Sequence, residues 1–280
     1  MRRGVVLGVL SVLVVGVTVI PWLLRSVTDS MLFYPARGQH VTPAQVGLSY
    51  EERFVTTEDG VRVQTWWLPA AERGTTTVIT FHGNAGTVAD RLPWIQTVVE
   101  AGVSVLAVEY RGYGDSEGRP SEEGLAADAR AGLALARELA AARGDRIVVH
   151  GRSLGGAVAI RLASDVAGAA PALDGVIVES TFTALRDMAN RSGIPLASHL
   201  VAYEFASVDR IVESPVPLLV VHGEADELIP VAMGERLVER ARAAGREVTW
   251  LSVPGGTHND TWFVGGRRYW DAVFRFIRGA

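Results

Sequence analysis

The chain has no cysteine, which excludes disulfides, cysteine-ligated zinc and a thiol nucleophile. That absence fits a reducing or an oxidising compartment equally. Lysine is missing too: all 27 basic residues are arginine, a bias that reads as codon usage in a GC-rich genome. Neither sign of charge dominates, because a formal net charge of −4 is spread over 280 residues. No basic stripe with interleaved aromatics is present, which argues against a nucleic-acid partner. The sequence shows no internal repeat and no low-complexity tract beyond alanine-rich helical segments. What is there suits one α/β domain, long enough to bury a sizeable core without staples.

Charge is absent altogether from residues 4–24, a run made mainly of Val, Leu, Ile and Gly. A helix of that span covers about 30 Å, roughly one hydrocarbon thickness. Arg2 and Arg3 precede the run and Arg25 closes it. The expectation is a retained membrane anchor over residues 1–25. The positive-inside rule then gives a single-pass protein with the domain that follows on the non-cytoplasmic side. A cleaved signal peptide remains open, although the apolar core is long for one and no A-x-A-like site is evident. A buried core helix also remains open, although the run lacks a polar face. Residues 26–48, with Pro35, Gly38 and Pro43, read as a connector to one domain over 49–280.

In that domain, residues 51–57 and 61–68 alternate around Glu58-Asp59-Gly60, the pattern of a β-hairpin. Short apolar, β-branched runs follow at 76–81, 103–108, 146–149, 175–178, 217–221 and 248–253. Helix-period segments lie between or after them at 90–101, 121–142, 154–164, 232–244 and 267–278. Strands alternating with helices predict a doubly wound, mostly parallel sheet covered on both faces. The stretch 181–215 breaks the alternation with weak helical signals at 185–191 and 196–206, and reads as a small cap.

Gly151-Arg152-Ser153-Leu154-Gly155 is G-x-S-x-G, with an apolar strand before it and a helix after it. That is the context of a nucleophile elbow, where a strained strand-to-helix turn exposes the serine. Glycines let neighbouring backbone approach, and the helix amino terminus adds oriented N–H groups. A serine nucleophile needs a base, and the base needs an orienting acid. Six histidines are available. His40 lies in the connector and His199 in the cap. His150 and His222 read as packed strand-end residues, and His82 belongs with Gly83-Asn84. His258 remains, in the loop after the last strand, where α/β sheets place ligands. Asp226, just past the strand at 217–221, is the candidate acid, which gives the chain order Ser, Asp, His. Glu179 and Asp260 compete for that role: one follows the strand at 175–178 and the other is two residues from His258. The oxyanion of acyl transfer needs donors fixed in advance. The candidates are the backbone N–H groups of Leu154 and Asn84.

The motifs around Phe81-His82-Gly83-Asn84-Ala85-Gly86, Tyr110-Arg111-Gly112-Tyr113-Gly114-Asp115-Ser116 and Gly151–Gly156 resemble the α/β-hydrolase superfamily. The stretch Gly255-Gly256-Thr257-His258-Asn259-Asp260-Thr261-Trp262 is similar to the bud-emergence-type branch of membrane-anchored α/β-hydrolase-domain proteins. The resemblance covers about residues 50–278. It implies a serine hydrolase of acyl esters or thioesters acting on a small-molecule or lipid-like substrate. It implies no cofactor and no metal, and it gives the 110–116 stretch a structural role. Two other readings stay open. One is a serine aminopeptidase or amidase, for which Glu179 or Glu204 could hold a peptide amino terminus. The other is a non-catalytic membrane-tethered binding protein on the same fold.

Overall fold

The computed structural model describes residues 20–170, 172–191, 193–194 and 197–279. Helix α1 (Ile20–Leu32) leads into a short strand β1 (Tyr34–Pro35). The hairpin follows as β2 (Glu51–Thr56) and β3 (Arg62–Leu68), paired antiparallel. Next come β4 (Thr76–Phe81) and β5 (Ala85–Gly86), the latter pairing in parallel with β1. The helix–strand alternation then runs through α2 (Leu92–Glu100), β6 (Ser104–Val108), α3 (Glu122–Arg143) and β7 (Arg146–Arg152). It continues with α4 (Leu154–Asp165) and β8 (Gly175–Glu179). The cap carries α5 (Leu185–Asn190) and α6 (Ser207–Arg210). The chain closes with β9 (Leu218–Gly223), α7 (Val231–Ala243), β10 (Val248–Val253), α8 (Thr261–Val264) and α9 (Gly266–Arg278).

Eight strands form one sheet in the order β10-β9-β8-β7-β4-β6-β3-β2, parallel except where β3 meets β2 and β6. Every residue of β4 is buried, as a central strand covered on both faces requires. Alternate side chains divide between two cores. Ile79, Phe81, Val108 and Val149 pack with Leu133, Leu162 and Leu237 of α3, α4 and α7. Val78, Val105, Val148 and Ile177 pack with Ile95 of α2 and Val273 of α9. Burying each such side chain contributes about 1.5–3 kcal/mol relative to exposure. The strand order reverses direction at β4 and β7, and ligands of open α/β sheets bind outside the carboxyl ends at such a switch point.

The structure extends several expected strands by their polar ends. β7 runs on through His150, Gly151 and Arg152, because these residues keep pairing with β8. β9 likewise reaches Gly223, paired with Val253. The cap departs further from expectation. Where one helix was expected at 196–206, the described residues 197–206 form a 3-10 turn at Ala197–His199 followed by irregular chain. The apolar residues that suggested a helix there, Tyr203 and Phe205, pack instead on Phe33 and Phe182. At the amino terminus, residues 4–19 of the expected span lie outside the described residues. Among the described residues, no helix is long and apolar enough to cross a membrane. From Ile20, where the described residues begin, α1 runs past Arg25 into the segment expected to be a connector.

Candidate active site

The strand-to-helix turn at Ser153 has φ 54° and ψ −119°, a backbone that non-glycine residues adopt at a cost of about 1–3 kcal/mol. The surroundings hold it there. The Ser153 N–H donates to the Glu179 carbonyl at 2.9 Å, and its carbonyl accepts from Gly156 N–H at 2.9 Å and the Thr181 hydroxyl at 2.7 Å. The flanking glycines are steric necessities. A Cβ on Gly151 would lie 2.0 Å from the Gly155 carbonyl oxygen, and one on Gly155 would lie 2.1 Å from the Phe81 carbonyl oxygen. The helix therefore starts tight against β4, with Ser153 at its amino end.

His258 follows β10 and stands beside this turn. Its Nε2 is 3.1 Å from Ser153 Oγ, and its Nδ1 is 2.9 and 3.1 Å from the two Asp226 oxygens. A carboxylate only accepts, so Nδ1 carries the proton and Nε2 is free to accept from the serine hydroxyl. Asp226, in the turn after β9, also accepts from the N–H groups of Leu228 at 3.0 Å and Ile229 at 2.7 Å. Burial raises its pKa, but the hydrogen bonds from His222, His258 and Ile229 outweigh that and hold it well below the usual carboxylate range. His222 itself donates from Nε2 to the Ile229 carbonyl at 2.8 Å, with Asp226 3.4 Å away. The His258 N–H donates to Glu227 at 3.3 Å, and its carbonyl accepts from the Arg152 guanidinium.

The structure thus brings Ser153, His258 and Asp226 together and sets both rival acids elsewhere. Asp260 accepts from the Thr257 N–H at 2.6 Å and braces the histidine loop. Glu179 is fully buried, accepting from the Tyr269 hydroxyl at 2.8 Å and the Thr261 hydroxyl. His150 stands 3.5 Å from it and stacks on Trp94 at 4.2 Å. Burial raises the Glu179 pKa, but His150, Arg152 and Thr261 bring it down to about 2.

Asn84, on the loop after β4, is gripped from three sides. Its carbonyl accepts from Tyr34 N–H at 2.9 Å and the Tyr113 hydroxyl at 2.7 Å, and its side-chain amide donates to the Leu32 carbonyl at 2.9 Å. The preceding Gly83 lies against the elbow, where an added Cβ would sit 3.5 Å from that of Ser153. Below it, both ring nitrogens of His82 meet acceptors: Nδ1 the Gly83 carbonyl at 2.7 Å, Nε2 the Glu109 carboxylate at 2.6 Å. Sequence reasoning placed His82 with this loop but missed Glu109, Thr181 and Arg152 as supports. Only Arg152, inside the pentapeptide, carried any local signal. The described residues contain no His/Cys/Asp/Glu group able to hold a metal ion.

A doubly wound sheet with a serine, a histidine and an acid converging at the carboxyl ends of β7, β10 and β9 defines an α/β-hydrolase. Known proteins agree. A family model described as serine aminopeptidase, S33, matches residues 73–208. The α/β-hydrolase domain-containing protein WAV2 of Arabidopsis thaliana is 33% identical, over 91% of this chain and 89% of that protein. An uncharacterized membrane protein of Saccharomyces cerevisiae is 32% identical, over 89% and 88% respectively. The Pyrococcus furiosus esterase Pf2001 shares the fold with a TM-score of 0.74 at 24% identity, over 89% of this chain and 97% of that one. The chain belongs to the α/β-hydrolase superfamily and is a serine hydrolase of that fold.

Proposed function

We propose that this protein cleaves acyl esters or thioesters through an acyl-enzyme, with Ser153 as nucleophile, His258 as base and Asp226 as orienting acid. The observation that carries the reading is the continuous relay at 3.1 and 2.9 Å ending on a strained, helix-backed serine. His258 Nε2 takes the Ser153 proton as Oγ attacks the acyl carbonyl. The N–H groups of Leu154 and Asn84 hold the oxyanion. His258 then returns its proton to the leaving oxygen or sulfur. Water repeats the cycle on the acyl-enzyme, and Asp226 steadies the imidazolium in both halves.

The aminopeptidase reading needs a carboxylate free to hold a substrate ammonium. Glu179 is occupied by Tyr269 and Thr261, and Glu204 stands on the surface 3.9 Å from Arg186. Those two positions favour the ester reading. The uncharged run at 4–24 and the membrane description of the yeast relative support a membrane-held enzyme, and Arg2 and Arg3 ahead of that run favour a single pass with the domain on the non-cytoplasmic side. A fluorophosphonate probe should label the protein covalently, and Ser153→Ala should abolish labelling without loss of fold. Unchanged labelling of the folded variant would overturn the assignment.

A further inference from the structure

Helix α1 lies outside the span matched by the family model, yet it is built onto the site. Its inner side is fully partnered. Arg25 Nε donates to the Tyr203 hydroxyl at 3.2 Å, that hydroxyl donates to Asp29, and the Ala202 N–H donates to Thr28 at 3.1 Å. These contacts tie both charged residues of the helix, Arg25 and Asp29, to Tyr203, with Arg25 staying exposed at the border of the outer arc. Its outer arc is of one kind. Trp22, Leu23, Val27 and Met31 are 65, 49, 56 and 65% exposed, and Ser26 and Ser30 fill the positions between them. A helix face meant for water carries charge, whereas contiguous large apolar side chains mark a contact surface.

We infer that this arc docks on a lipid bilayer and that doing so holds the mouth of the active site against the lipid. Three observations select lipid over a second copy of the chain or another protein. The arc offers no charge for a protein partner to complement. The uncharged sequence continues upstream without a break as far as Gly4, long enough for one hydrocarbon thickness. Trp22, and Tyr34 just beyond the helix at 53% exposure, are the amphipathic rings that settle at headgroup level.

The orientation of the mouth follows from hydrogen bonds already described. Leu32 and Tyr34 clasp Asn84, so the carboxyl end of α1 abuts the loop proposed to hold the oxyanion. Exposed apolar side chains also stand past the carboxyl ends of β9 and β10. Leu228 (55% exposed) lies two residues past Asp226, and Phe263 (73%) lies in α8, five residues past His258. The site thereby draws its acyl chain from the bilayer and not from solution, a substrate class that rests on the serine-hydrolase reading above.

Because the chain has no cysteine, a single introduced thiol reports one place. Val27→Cys, Met31→Cys and Phe263→Cys, with Ala244→Cys at the opposite edge of the sheet as control, are each labelled with an environment-sensitive fluorophore. The full-length chain is bound to phosphatidylcholine vesicles that contain brominated lipid. The expected result is severalfold stronger quenching at 27, 31 and 263 than at 244. Quenching at 27 and 31 no greater than at 244 overturns the docking. If those labels are shielded from aqueous iodide without lipid quenching, another chain or segment covers the arc, and the docking is again overturned. Quenching at 27 and 31 but not at 263 overturns the orientation of the mouth. Fluorophosphonate labelling of Ser153 in the same samples keeps the readings apart. Labelling without quenching refutes only the docking, and quenching without labelling refutes only the catalytic assignment.

Discussion

Two buried carboxylates stand near the serine, and their oxygens touch different groups. Asp226 meets the ring of His258 at 2.9 Å, whereas Glu179 meets Tyr269, Thr261 and the neighbourhood of His150. Asp226→Asn should therefore lower kcat by on the order of 10³-fold or more, because His258 loses the partner that fixes its tautomer. Steady-state kinetics on a short acyl ester read this directly. Should Glu179→Gln do that damage while Asp226→Asn does not, the acid has been misassigned. Glu179 predicts something else. Its folded pKa of about 2 lies below its ordinary value of 4.5, so its ionised form contributes stability that is present above that ordinary value. The contribution is lost as pH falls from about 4.5 toward 2. Denaturant midpoints measured across that window should fall more steeply for the native chain than for Glu179→Gln. Equal slopes would show that the carboxylate takes no part in acid stability.

At the scale of elements, what could be read in advance depended on how local its cause was. β4 and β10 were legible to the residue because their apolar runs end where their pairing ends. β7 was not: its apolar run stops at Val149, and the strand goes on through Arg152 only because β8, Trp94, Glu179 and the His258 loop supply partners from distant sequence. The same separation hid the network around Tyr269, which is 90 residues from Glu179. The candidate serine, histidine and acid could be picked out because each sits just past a strand, a position that the pattern of strands alone defines. The cap helix at 196–206 was misread because aromatic residues at near-helical spacing serve contacts to Phe33 and Phe182. Where the cause is local, a local test applies. Ser121 caps α3 by accepting the Gly124 N–H at 3.1 Å, and Gly144 ends that helix in the left-handed region at φ 73°. Ser121→Ala should cost about 1 kcal/mol. In a domain of this size that lowers Tm by about 2–4 °C. Calorimetry showing no change would mean that packing, not the cap, fixes the start of the helix.

For the whole molecule, the question is why an α/β-hydrolase domain carries so uncharged an amino-terminal segment. A retained anchor and a cleaved signal peptide both explain residues 4–24, and they make opposite predictions about the mature chain. α1 bears on the choice. Its turns from Arg25 onward bind Tyr203 and the loop of Asn84, so cleavage after residue 24 would spare them and remove the part of the helix described from Ile20 to Leu24. Only Trp22, Leu23 and Leu24 among the described side chains would go with it, none of them buried, so the hydrolase fold would outlast the cut. Retention is thus a matter of location and not of folding, and it has to be measured as such. Membranes from cells expressing the full chain should keep the protein through an alkaline carbonate wash, and its intact mass should include residues 1–24. A soluble mature chain lacking those residues would refute the anchor and leave the proposed roles of Ser153, His258 and Asp226 untouched.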